Sequence, residues 1–253
     1  VCFAVADQAD FSSRIGGVSG EGEISVVIWT TTPWTLPANQ AVSVNPELDY
    51  VLVQVGDKRL VMAQALLESV AKRGEFEDYS VLSEFSGSVL ENLSLKHPFY
   101  DKCVPVLLGD HVTTDAGTGC VHTAPDHGME DFVVGRKYDI GTLNYVNEHG
   151  VYRDSVEIFA GEHVYKVDEK VIDVLIENNA LLHQEKFVHS FPQCWRTKTP
   201  LIFRATPQWL ISMSQKGLSD DVKSSVENIA WVPAWRRPRI ASSLPRPRNL
   251  FLL

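Results

Sequence analysis

Paired cysteines, long apolar runs and the common nucleotide or hydrolase signatures are all missing from this 253-residue chain. Its four cysteines, Cys2, Cys103, Cys120 and Cys194, stand far apart with no C-x-x-C pair. That spacing argues against both a zinc knuckle and a disulfide framework, and a reducing cytoplasm suits it. No apolar run approaches the length of a membrane span and no basic-then-apolar leader opens the chain, so no membrane partner is expected. A Gly-x-Ser-x-Gly elbow is absent, as are a Gly-Lys-Ser/Thr phosphate loop and the two histidines four apart that hold zinc on a helix. With no evident nucleophile, a hydrolase built on this chain would have water attack directly. The first residue is Val1 instead of methionine, and the chain is expected to be a piece of something longer.

What is present is ordinary soluble-protein material: 44% hydrophobic and 22% charged residues, enough for one substantial core plus an appendage. The net charge of −9 is unevenly spread. Residues 190–253 hold ten Lys/Arg against three Asp/Glu, a balance of +7, which leaves −16 on residues 1–189. Phosphate neutralisation supplies most non-specific affinity for nucleic acid, so an acidic body is a poor free-standing RNA-binding module. No DNA partner is expected, and any contact with nucleic acid should lie at one end.

Short strands are predicted at Glu23–Thr31, Tyr50–Val55, Arg59–Ala63, Tyr79–Phe85, Val104–Leu108 and Cys120–Thr123, separated by turn residues such as Asn45-Pro46, Gly56-Asp57 and Gly109-Asp110. Helices are predicted at Gln64–Arg73, Gly128–Tyr138 and Gly161–Asn178. The last carries Val164, Val167, Val171, Val174 and Leu175 on one face, and Leu181–Val188 is expected to return as a strand. Many short strands with peripheral helices imply a mainly β, β-barrel-like α+β domain over residues 1–189. From 190 to 240 prolines and aromatics alternate with basic residues, as in a crossing linker. Residues 241–253 form an atypical tail, expected to be disordered.

Two segments carry chemistry. Ile24–Trp29 leads into Thr30, Thr31, Thr32, Pro33, Trp34, Thr35, Leu36, Pro37, Ala38 and Asn39. Pro33 and Pro37 cannot donate to a ladder, so the strand must end near Thr32 in a rigid, hydroxyl-lined turn. Such a turn can hold a small polar ligand, or simply close a strand as a threonine turn. The second segment runs from Gly117-Thr118-Gly119 through Val121, His122, Ala124-Pro125, His127-Gly128 and Asp131 to Phe132. Its glycines allow close backbone approach, but a lone Gly-x-Gly is no dinucleotide fingerprint. Asp131 falls in the first turn of a helix, where the dipole favours an acid. It could equally pair with an ammonium group through charge-assisted hydrogen bonds. His122 fits either a satisfied structural histidine or a site residue. His122, His127 and Asp131 have the wrong spacing for a familiar metal site, and no metal is expected.

Together these segments resemble the editing domain of isoleucyl-tRNA synthetase. The turn Thr-Thr-Thr-Pro-Trp-Thr has the isoleucyl form, whereas the valyl and leucyl relatives carry an arginine and an acid there. The second block resembles Gly-Thr-Gly-x-Val-His-x-Ala-Pro-x-His-Gly-x-x-Asp-Phe/Tyr. A third, Thr199 to Trp209, is similar to the segment returning to the catalytic core. The likeness extends to about Ile240; beyond it the family's Trp-Cys-Ile-Ser-Arg-Gln segment is missing.

The resemblance implies hydrolysis of valine wrongly esterified to the 3′ end of isoleucine tRNA, with the remainder of the synthetase as partner. Thr32, His122 and Asp131 would be the catalytic set, with His122 the wall against isoleucine and Asp131 the ammonium anchor. Thr30 and Thr31 would line the adenosine and ester end, Trp34 and Thr35 would shape the side-chain pocket, and Asn39 would support the turn. Gly119 and Val121 would complete the substrate-facing surface. Trp34 could instead be a core aromatic. The family's His-x-Gly-His and Lys-Met-Ser-Lys-Ser motifs are absent, so ATP, magnesium and zinc would belong to the parent and no cofactor to this chain. A second reading is an inert fragment that binds tRNA weakly and acts only within the full enzyme.

Overall fold

The computed structural model describes residues 1–186, 188, 190–212, 215–244 and 250–252. It divides into two compact units, Val1–Ala205 and Thr206–Leu253.

Two open sheets organise the first unit. One contains β1 (Cys2–Ala4), β2 (Glu23–Val27), β4 (Asp49–Val55), β5 (Lys58–Ala63) and β6 (Tyr79–Ser86) in the order β1-β2-β5-β4-β6. The other contains β3 (Ala41–Val44), β7 (Ser94–Lys96), β8 (Cys103–Leu108) and β9 (Cys120–Thr123) in the order β7-β8-β3-β9. Val5 bridges to Leu95, joining the β1 and β7 edges, but among the described residues the barrel does not close. Most pairs are antiparallel; β2 with β5 and β3 with β8 run parallel.

The central strands are buried on both faces, so consecutive residues 50–53 and 60–63 are all sealed from solvent. Tyr50, Leu52, Leu60 and Met62 are fully buried, and the apolar cluster extends from Phe3 and Phe11 to Phe159, Val171 and Leu175. Helices α1 (Gln8–Arg14), α2 (Leu67–Arg73), α3 (Met129–Lys137) and α4 (Asp168–Glu177) lie outside the sheets. Asp7 caps α1 by accepting the Ala9 and Asp10 N–H groups. On α4, Val171, Val174 and Leu175 face inward as the helical period requires.

Several boundaries differ from those read from the sequence. β2 is regular only to Val27; Ile28 still exchanges main-chain hydrogen bonds in both directions with Val1, and the chain then leaves the sheet for the turn that Pro33 opens. Regular helix begins at Asp168, not Gly161, since Val164–Lys166 is a tighter turn capped by His163. The described residues of Leu181–Val188 form no strand: no neighbouring backbone offers them a ladder. The short strands β1, β3 and β7 and helix α1 were not anticipated.

The second unit holds α5 (Leu218–Asn228), α6 (Arg236–Ser243) and β10 (Trp209–Ile211) paired antiparallel with β11 (Leu250–Leu252). Of the tail expected to be disordered, residues 241–243 finish α6 and 250–252 form β11, while 245–249 and 253 lie outside the described residues.

Candidate active site

The threonine-rich segment leaves β2 and turns sharply in a 3-10 helix from Pro33 to Ala38. Pro33 suits the first position because its missing N–H is unneeded there. Within the turn Thr32 donates its N–H to Thr30 Oγ1 (3.1 Å), and Thr35 donates its hydroxyl to the Thr32 carbonyl (2.9 Å). Distant side chains clamp the turn at Trp34. Asp168 Oδ1 accepts the Trp34 N–H at 3.1 Å, and the Tyr152 hydroxyl donates to the Trp34 carbonyl.

β9 sets His122 beside this turn. Asn39 donates one amide hydrogen to the Ala41 carbonyl (2.8 Å), which orients the amide, and approaches His122 Nδ1 at 3.3 Å. Nδ1 is therefore the acceptor, so the proton sits on Nε2 and is donated to Thr35 Oγ1 at 2.7 Å. The resulting relay runs from His122 through Thr35 to the Thr32 carbonyl. Burial pushes the His122 pKa down to about 4, and the ring is neutral near pH 7. A neutral ring with both nitrogens engaged has no free lone pair with which to act as a base.

Asp131 stands opposite. Its position in the first turn of α3 suggested a helix cap, yet Oδ2 accepts the N–H of Ala124, just past the end of β9, at 2.9 Å. Burial raises its pKa to about 6, while the Ala124 bond pulls the other way. An arriving cation would restore the charge that burial disfavours.

One cavity of about 410 Å3 gathers Thr30, Thr31, Thr32, Thr35, Val121, His122 and Asp131. Seven of the ten residues singled out in the sequence thus meet in it. The other three do not line it. Trp34 is only 6% exposed, with its ring edge-on to His127 at 4.8 Å, and is a packing residue behind the turn. Asn39 is fully buried and holds His122. Gly119 has φ +72°, accepts the Tyr50 hydroxyl on its carbonyl, and would bring a Cβ to 2.3 Å from that of Ala63. It brings two backbones together.

Sequence reading missed His111, Thr113, Asp115 and Ala116 in the lining, and considered His127 only as a metal ligand. Tyr152 and Asp168 were missed altogether. They lie 118 and 134 residues from Trp34, and no local pattern signals contacts at that range.

The open two-sheet fold, with its threonine-lined cavity and half-buried Asp131, is that of the editing domains of class I aminoacyl-tRNA synthetases. The family model for the editing domain of leucyl-tRNA synthetase matches residues 17–179, and the chain belongs to that family. It is 70% identical over 244 residues to the isoleucine–tRNA ligase of Saccharophagus degradans, and 64% identical over 244 residues to that of Teredinibacter turnerae. Each match covers 96% of this chain and 26% of the relative, so the chain spans about a quarter of the length of these proteins. Among solved structures, the editing domain of P. knowlesi cytosolic leucyl-tRNA synthetase superimposes with a TM-score of 0.57 at 14% identity, covering 71% of this chain and 93% of that one. The corresponding P. falciparum domain gives 0.57 at 11% identity, covering 73% and 98%. At such identities these likenesses establish the fold. No helix among the described residues is long and apolar enough to cross a membrane.

Proposed function

We propose that this chain clears valine misattached to isoleucine tRNA, as the editing part of an isoleucine–tRNA ligase, by hydrolysing the ester on the terminal ribose. The observation that carries this reading is the single cavity uniting the threonine turn, His122 and Asp131. Asp131 takes the α-ammonium, His122 and Thr35 bound the side chain, and Thr30 to Thr32 face the ribose and ester. Selection by size is needed because one methylene is worth only about 1–3 kcal/mol in an apolar pocket, a general limit for which isoleucyl-tRNA synthetase is the usual illustration. A site that admits valine and blocks isoleucine at His122 adds a second, steric test. The reaction asks for the ester and water and no cofactor; tRNA and the rest of a synthetase are the partners.

Incubation with valyl-tRNA and isoleucyl-tRNA of the isoleucine acceptor tests the reading, with selective loss of the valyl ester as the expected result. The −16 balance of residues 1–189 favours a second possibility, delivery of the substrate by the parent. In that case a folded free chain hydrolyses neither ester, while the same segment placed in a synthetase hydrolyses the valyl one. Loss of neither ester in either setting would sink both.

A further inference from the structure

A second grip on the threonine turn comes from the segment between β7 and β8, residues 97–102. His97 Nδ1 accepts the N–H groups of Phe99 (3.3 Å) and Tyr100 (3.1 Å), so its proton sits on Nε2 and is donated to the Leu36 carbonyl at 3.2 Å. Lys102 Nζ donates to the Asn39 carbonyl at 2.7 Å. Both acceptors lie at the end of the 3-10 helix, where main-chain carbonyls run out of helical partners. Lys102 is half-buried, and burial pulls its pKa down. A cation in that setting ordinarily meets an acid, yet none of the ion pairs among the described residues includes Lys102. Its companions are the Asn39 carbonyl and the ring of Tyr100, 5.6 Å away, which in turn stacks on His97 at 4.9 Å. Asn39 is also the residue whose amide reaches His122 Nδ1. Its Oδ1 has no hydrogen-bond partner among the described residues, so the amide is fixed by its two donated bonds and by where the main chain puts it.

We propose that Lys102 is a positioning residue for side-chain selection, acting through Asn39 to hold His122 in place against a longer side chain. This inference rests on the function proposed above. The path runs from Lys102 Nζ to the Asn39 carbonyl, from Asn39 Nδ2 to His122 Nδ1, from His122 Nε2 to Thr35 Oγ1, and from Thr35 Oγ1 to the Thr32 carbonyl. Lys102 is not among the residues lining the cavity, so it acts only through its neighbours. Its charge-assisted bond fixes the peptide that carries the Asn39 side chain, and that side chain sets the plane and tautomer of the His122 ring. Without the bond, the Asn39 to His122 contact at 3.3 Å, the longest on the path, is the first to open. His122 then keeps one anchor of two and the wall yields. A pocket that discriminates by one methylene depends on such support behind the residues that line it.

The test compares hydrolysis of isoleucyl-tRNA and valyl-tRNA by this chain, free and grafted in place of the matching segment of the Saccharophagus degradans ligase. Lys102→Met keeps the aliphatic stem and removes the donor. It is expected to raise the ratio of isoleucyl to valyl hydrolysis by about 3–30-fold, less than loss of the His122 ring itself. Lys102→Arg, which restores a charged donor, should recover most of the selectivity. Lys102→Gln, whose shorter stem withdraws the donor, takes the place of Lys102→Met if that variant does not fold. Nitrogen-15 spectra read the coupling without turnover. His122 should show one species with hydrogen on Nε2 in the unmodified chain, and loss of the Lys102 donor should add the Nδ1–H tautomer or speed exchange of the Nε2 hydrogen with water. A group that serves stability alone lowers both reactions together. An unchanged ratio, equal losses of both reactions, or His122 spectra that do not respond would each overturn the proposal while selective valyl hydrolysis by the unmodified chain still stands. If the unmodified chain leaves the valyl ester intact in both settings, the functional reading fails and this proposal falls with it.

Discussion

The two sides of the cavity have been built on opposite rules. On the His122 side the imidazole's hydrogen-bonding capacity is spent inward: Asn39 engages Nδ1, Thr35 engages Nε2, and Thr35 donates its own hydroxyl hydrogen bond to the Thr32 carbonyl. On the Asp131 and His127 side, each residue makes one hydrogen bond to the main chain through one atom and keeps capacity in reserve. Satisfied groups hold shape, and unsatisfied groups wait for a ligand. The difference separates groups fixed by the fold from groups with capacity left for a ligand, though all of them are partly or fully buried.

Asp131→Ala should break the reactive side most severely. Leaving a substrate ammonium unpaired in a buried site costs about 2–5 kcal/mol, so valyl-tRNA hydrolysis is expected to fall by roughly 30-fold to several thousand-fold. Asp131→Asn, similar in size, should lose nearly as much if charge is the reason, whereas near-normal rates would remove the anchor.

Acid should do the same reversibly. With its pKa near 6, Asp131 loses its charge as pH falls through that value, and hydrolysis measured from pH 8 to 5 should decline with it. Stability follows two opposed trends. The raised Asp131 pKa favours the fold below the ordinary carboxylate range and costs stability as pH rises through about 6. The depressed His122 pKa does the reverse, supporting the fold above about 6.5 and withdrawing that support as pH falls towards 4. His122→Gln should remove the second trend and leave the first, as read in melting curves.

His122→Ala tests the selective side. It is expected to leave the valyl reaction largely intact and to raise isoleucyl-tRNA hydrolysis by about 10–200-fold, the range that one methylene commands. Continued rejection of isoleucine would move the wall elsewhere.

The smallest effects concern the scaffold behind both sides. Gly119→Ala puts a methyl against Ala63 at positive φ, and should lower stability by about 1–3 kcal/mol in denaturant titration. Tyr152→Phe removes one donor to the Trp34 carbonyl. A loss of about 1–3 kcal/mol is expected, with a modest slowing of hydrolysis as the turn loosens. If stability changes but the rate does not, the clamp on Trp34 serves the fold alone.

Much of this was legible along the chain, for local reasons. Short continuous apolar runs bounded by turn residues mark β4 and β5, and period-3.6 burial marks the later part of α4. Pro33 and Pro37 force the threonine segment out of the sheet. Gly117 and Gly119, at φ +81° and +72°, signal a close backbone approach before β9. Asp131 and His122, each with an equally good structural reading by residue type, were nominated by the family resemblance. The short strands β1, β3 and β7 escaped notice because so few residues carry little periodicity, and the strand expected after Leu181 failed for want of a partner. Tertiary packing settled the rest. Trp34 went to the interior and not the cavity, the Asp131 carboxylate turned back to Ala124, and Tyr152 and Asp168 arrived from over a hundred residues away to hold the turn. Apolar runs, prolines and glycines act through neighbouring atoms and can be read locally. Burial, tautomer and pKa depend on which distant groups the folded chain brings within a few ångströms, and one-dimensional order does not encode that proximity.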